Sequence, residues 1–194
     1  MEKERLAAFS DGVIAIIITI MVLELKAPHG DHPGDLLKLA PAFMSYVLSF
    51  VYVAIYWNNH HHLLATLGRV NGAILWANMH LLFWLSLIPF ATAWLGENHF
   101  ARWPSAVYGV ALLGPAIAYF ILQRAIVRSQ GAGSALARAL GADVKGKVSP
   151  LLYLTAIGLA FVAPVVSNAI YVAVALMWLV PDRRIERLYA EEEK

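Results

Sequence analysis

The chain has 194 residues, of which 60% are hydrophobic and only 14% charged. Soluble domains carry about 25% charged residues, so this composition describes a polytopic membrane protein: one membrane domain over residues 1–194, with no room for a separate soluble one. The absence of cysteine excludes disulfides, thiol catalysis and cysteine-ligated metals. A formal net charge of +2 gives no reason to expect a nucleic-acid partner and makes the placement of charge more informative than its sum.

The first apolar run covers residues 7–25 and opens on Phe9-Ser10-Asp11-Gly12. Its length and the lack of an A-x-A-like site before Pro28 predict a retained span rather than a cleaved signal. Asp11 lies about 8 Å into this helix by rise per residue. A carboxylate at that depth is expensive and calls for a partner. A polar loop, His29 to Asp35, separates this run from a second span over 39–60, which closes on Trp57-Asn-Asn-His-His-His62. The third span covers 70–95 and contains Pro89, a candidate kink. The fourth covers 104–126, and a basic, Gly- and Ala-rich connection fills 127–149.

The run from Pro150 to Val180 is too long for one span and short for two. Charge decides the count. With a cytoplasmic N-terminus and six spans, the inside holds Lys3, Arg5, Arg69, Arg124, Arg128, Arg138, Lys145, Lys147, Arg183, Arg184, Arg187 and Lys194. Only Lys26, Lys38 and Arg102 fall outside. Five spans would divide the same residues almost evenly. The cytoplasmic excess of Lys and Arg therefore favours six spans, with both termini inside. The last two helices are then short and meet near Pro164, with the fifth starting near Val148. Pro181 to Tyr189 reads as a short amphipathic cytoplasmic helix. No internal repeat is evident, which argues weakly against a transporter built from duplicated halves.

On a helical wheel of about 100° per residue, Phe9, Gly12, Ile16, Ile20 and Leu23 form one stripe with Thr19 at its edge, while Asp11 points away. The stripe suits either lipid and helix contact or the lining of a narrow hydrophobic pore. Asp11, opposite it, suits a helix-packing network, with proton handling beside histidines as the minor alternative. Polar groups at its level include Ser10, Asn58, His60–His62, Asn71, Asn78 and His80. Three consecutive histidines do not share a helix face and lack the i,i+4 spacing of helical zinc sites, so no metal is expected. There is no Thr-Val-Gly-Tyr-Gly filter, phosphate loop, Gly-x-Ser-x-Gly elbow or voltage-sensing arginine repeat; neither an enzyme nor a carbonyl-lined filter is expected.

The pattern Arg5-x-x-x-Phe9-Ser10-Asp11-Gly12-Val13-x-Ala15-Ile16-x-x-Thr19, followed by Val22-Leu23-Glu24, resembles the signature of the transmembrane protein 175 family, in particular its bacterial members. Ser49-Phe50, Trp57-x-x-His60-His61, the stretch from Asn71 to Pro89-Phe90, and Pro181-Asp-Arg-Arg-Ile-Glu186 add weaker matches. The resemblance implies a potassium-permeable cation channel in the bacterial cytoplasmic membrane. It would have six spans per subunit, assembled as a homotetramer with the first helix of each subunit lining the pore. It puts an isoleucine constriction at Ile16 and further pore layers at Thr19, Ile20 and Leu23. It assigns Arg5, Ser10 and Asp11 to a polar network holding the pore helix, with partners expected among Trp57, His60, Asn78 and His80. Potassium ions and the bilayer are the only partners expected, with no cofactor. A proton-conducting or proton-coupled carrier using Asp11 and the nearby histidines, and a non-conducting membrane scaffold, are the competing readings.

Overall fold

The computed structural model describes residues 2–131, 133–140 and 143–179. Every regular element among them is helical: α1 (Lys3–Leu23), α2 (Pro33–Leu37), α3 (Ala40–Ala65), α4 (Gly72–Ser86), α5 (Ile88–Glu97), α6 (Arg102–Gln130), α7 (Ala135–Leu140), α8 (Val144–Leu159) and α9 (Pro164–Leu179). The amphipathic helix expected over Pro181–Tyr189 lies outside the described residues.

Four stretches are long and apolar enough to cross a membrane: α1, α3, α4 with α5, and α6. α9 is a shorter apolar helix. It has 16 residues, as has α8, and each rises only about 24 Å against a hydrocarbon core of about 30 Å. The four-residue turn between them ends at Pro164, the first residue of α9. Several boundaries differ from the sequence expectation. α3 runs on through His60–His62 to Ala65 because Leu63 and Leu64 are buried in the core. α8 starts at Val144 rather than near 148, because the Asp143 side chain accepts from the Gly146 amide at 2.9 Å and caps the helix. Lys145 and Lys147 therefore ride on a helix instead of a loop.

Pro89 breaks the third apolar stretch. It has no amide hydrogen to give the Leu85 carbonyl, so α4 stops at Ser86 and α5 restarts at Ile88. The Leu87 amide tightens the join by donating to the Trp84 carbonyl at 3.2 Å.

α6 is the central helix, packed against α4, α5, α8 and α9, while α1 lies on α3, α4 and α5. Helices in lipid gain little from the hydrophobic effect and associate through close backbone approach at small residues. Gly96 on α5 faces Ala42 of α3, where a Cβ would come within 2.6 Å of the Ala42 Cα. Gly114 on α6 lies under the Trp84 ring of α4, and Gly109 under Tyr171 of α9 and Ile157 of α8. Two apolar cores result. One joins α1, α3, α4 and the C-terminal half of α6. The other joins α3, α5, the N-terminal half of α6, α8 and α9 around Tyr52, Tyr108, Tyr153 and Tyr171.

Replacing Gly114 with Ala drives a methyl into the Trp84 ring and should destabilise the protein by about 1–3 kcal/mol. Gly158→Ala, where a Cβ meets nothing within 4 Å, should leave it unchanged. Thermal unfolding of both variants in detergent checks this; equal melting temperatures would show that the α4–α6 crossing does not depend on the glycine.

Candidate pore-lining face and its polar anchor

α1 presents two different faces. Leu6, Ser10, Ile14, Ile17 and Met21 are buried at spacings of three and four residues, which puts them on one side of the helix. Phe9, Gly12, Ile16, Thr19, Ile20 and Leu23 are exposed on the other. Ile16 is 59% exposed and Leu23 74%: no helix among the described residues covers this stripe. The Thr19 hydroxyl donates to the Ala15 carbonyl of its own helix at 2.9 Å. Its proton is thereby used, and the oxygen lone pairs remain available as acceptors on the stripe.

The buried side is fastened by hydrogen bonds. Ser10 donates to the Leu6 carbonyl at 2.9 Å and accepts from the Asn78 side-chain nitrogen of α4, also at 2.9 Å. Since that nitrogen donates to Ser10, the Asn78 Oδ1 accepts, and it takes its hydrogen from His60 Nε2 of α3 at 2.7 Å. Asn78 and Ser10 have no exposed surface and His60 has 1%, so one amide satisfies two other buried groups on two helices. A second link lies closer to the surface: Trp57 Nε1 of α3 donates to Asp11 Oδ1 at 3.0 Å. Trp57 is exposed and Asp11 half-buried. Trp57 and His60 are one turn apart, as Ser10 and Asp11 are neighbours, so both links bind the same stretch of α1.

Ser10, Asp11, Trp57, His60 and Asn78 thus come together around the first half of α1. His80 does not join them. It stands two residues beyond Asn78, about 200° further round the helix, and its Nε2 accepts from Trp84 Nε1 at 2.9 Å on the side toward α6. Arg5 is exposed and forms no hydrogen bond or ion pair with the described residues. The three histidines diverge: His60 is buried, His61 is exposed beside Trp57 with ring centroids 6.1 Å apart, and His62 is half-buried.

Sequence reasoning passed over two further sets of contacts. Lys3 donates to the Ala65 carbonyl and Gln130 to the Thr66 carbonyl. These satisfy carbonyls that the end of α3 would otherwise leave open and tie the start of α1 and the end of α6 to it. In the second core, Ser49 bonds to Tyr108 and accepts from Thr92, while Tyr52 donates to the Tyr171 carbonyl and Tyr171 to the Ser105 carbonyl. The signal was present: Ser and Tyr recurring inside apolar spans need partners there.

The described residues thus form a bundle of membrane-length helices, its first helix held by a buried polar bridge and left bare along an apolar stripe. The family model described as the endosomal/lysosomal potassium channel TMEM175 matches residues 5–89, the segment that carries both the stripe and the bridge. A potassium channel of Chryseobacterium sp. (strain P1-3) is 53% identical over 98% of this chain and 100% of its own length. The crystal structure of a lysosomal potassium-selective channel TMEM175 homolog from Chamaesiphon minutus superimposes with a TM-score of 0.81, covering 93% of this chain and 98% of that one at 29% identity. The human endosomal/lysosomal proton channel TMEM175 is 30% identical over 54% of this chain but only 23% of its own length. The chain belongs to the TMEM175 family of ion channels.

Asn78→Ala would leave both Ser10 and the His60 ring without this partner in a dry site, at a cost of about 1–3 kcal/mol for each unsatisfied group. Trp57→Phe removes one bond at a partly wet position and should cost under about 1 kcal/mol. Thermal unfolding in detergent checks the order. An Asn78→Ala protein no less stable than Trp57→Phe would mean that the buried bridge does not anchor α1.

Proposed function

We propose that the chain is one subunit of a homotetrameric, potassium-permeable cation channel of the bacterial cytoplasmic membrane, with α1 of each subunit lining the pore. The observation that carries this reading is the bare stripe of α1: Ile16, Thr19, Ile20 and Leu23 are all exposed in the subunit, while the opposite face is locked to α3 and α4. The six spans are α1, α3, α4 with α5, α6, α8 and α9, with both termini on the cytoplasmic side in accord with the distribution of Lys and Arg. The bacterial relative named as a potassium channel supports the same cargo.

Four Ile16 side chains form a hydrophobic collar that gates by constriction and dewetting. An ion entering it must shed or squeeze its water. Potassium holds water less tightly than sodium and crosses more readily where no strong ligand is offered. Four Thr19 oxygens just beyond the collar replace part of the lost hydration, and Ile20 and Leu23 continue the apolar wall. Without a carbonyl cage the preference for potassium over sodium is modest. The polar bridge on the far side of α1 fixes the rotation of the helix and so the aim of Ile16.

A proton-conducting reading rests on the half-buried Asp11 carboxylate and on the human relative named as a proton channel. Flux measurements in proteoliposomes separate the two. Potassium flux should exceed sodium flux, and Ile16→Asn should raise the leak and erode the difference; unchanged permeability ratios in a correctly assembled Ile16→Asn protein would remove the collar. If instead acidifying one side shifts the reversal potential at fixed potassium and Asp11→Asn abolishes the shift, protons are the cargo. No flux of either ion from an assembled protein leaves a scaffold.

A further inference from the structure

A groove runs between α4 and α6 on the outside of the subunit, away from the α1 stripe. Trp76 and His80 line it from α4, and Phe120, Ile121, Arg124 and Arg128 from α6, over a floor of alanines. Arg124 and Arg128 are four residues apart and share a face. Counted back from Gln130, the last residue of α6, they lie about 3 Å and 9 Å into the helix by rise per residue, a depth at which guanidinium groups reach lipid phosphates. Both are exposed. The ion pairs among the described residues, Lys26 with Glu97 and Lys38 with Asp35, lie at the other end of the bundle, so no carboxylate among the described residues pairs with the two arginines. The Arg124 guanidinium sits 4.9 Å from the centroid of the Phe120 ring, which holds it over the groove. Trp76, 78% exposed in the first half of α4, stands where aromatic rings favour the membrane interface. His80 Nε2 already accepts from Trp84, so the ring proton is on Nδ1 and adds a donor to the lining.

We propose that this groove binds an anionic phospholipid, its phosphate held between Arg124 and Arg128 and its acyl chain laid along the apolar floor past Ile121. Arginine suits a phosphate because its planar fork gives two parallel, charge-assisted bonds. The pair gives net attraction only to a headgroup whose phosphate charge is not cancelled by an ammonium, so phosphatidylglycerol is favoured over phosphatidylcholine. Basic clusters at the cytoplasmic ends of membrane helices recognise acidic lipids in this way.

The test is native mass spectrometry of the full-length protein in detergent, supplied with equal amounts of phosphatidylglycerol and phosphatidylcholine. Wild type should retain phosphatidylglycerol preferentially. Arg124→Gln with Arg128→Gln should lower that retention at least ~5-fold, whereas the two Arg→Lys changes should keep most of it. Arg69→Gln with Lys147→Gln, which removes the same charge elsewhere, should have no effect. The proposal is overturned if wild type retains both lipids equally, if the double Gln variant retains phosphatidylglycerol as wild type does, or if the control pair loses as much. It is also overturned if the double Gln variant comes apart into smaller assemblies, which would make the groove a seat for a neighbouring subunit.

Discussion

Asn78 is the pivot of this subunit. Its amide nitrogen serves Ser10 on the first helix and its oxygen accepts from His60 on the third, all without exposure to solvent. In a bilayer there is no water to replace either bond, so rotating α1 away from this position would leave polar groups orphaned in hydrocarbon. A purely apolar contact would let α1 slip or turn at little cost. The amide therefore fixes one rotational setting of a helix whose remaining contacts with its neighbours are non-directional.

That setting decides what the rest of α1 does. With Ser10 turned inward, the 3.6-residue period brings Leu6, Ile14, Ile17 and Met21 into the core and turns Ile16, Ile20 and Leu23 outward. Asp11, one residue on from Ser10, is thrown to the flank, where Trp57 meets it. The carboxylate thus has a partner without entering the core or the bare stripe. Lys3 and Gln130 close the same end by satisfying the last carbonyls of α3, so α1, α3 and α6 share one fastened end.

The same need to satisfy polar groups organises the other half of the bundle, where tyrosine hydroxyls and serines bond across α3, α6 and α9. Small residues do the complementary work. Gly96, Gly109 and Gly114 let backbones approach until rings and side chains touch the Cα. At Leu87 proline chemistry overrides the apolar run, and the break lets α5 pack on α3 while α4 packs on α6.

Much of this was legible in the residues. Apolar runs of bilayer length marked α1, α3, α4 with α5, and α6, because hydropathy and length alone set a span. The wheel grouped Ile16, Thr19, Ile20 and Leu23, because helical period is a property of the chain. Pro89 announced its break for the same local reason. Which polar residue meets which was not legible: Asn78 and His80 are two positions apart and equally polar, yet one faces Ser10 and the other Trp84, since only the packing of three helices sets which side of α4 looks inward. The stripe was ambiguous in sequence, because an apolar face against a neighbouring helix and one left uncovered read alike. The sequence by itself determined the spans, their breaks and the periodic faces, all local properties of the chain. The tertiary structure alone decided that α1 is held on its Ser10 side and bare on its Ile16 side, because that depends on bonds between residues up to 68 positions apart.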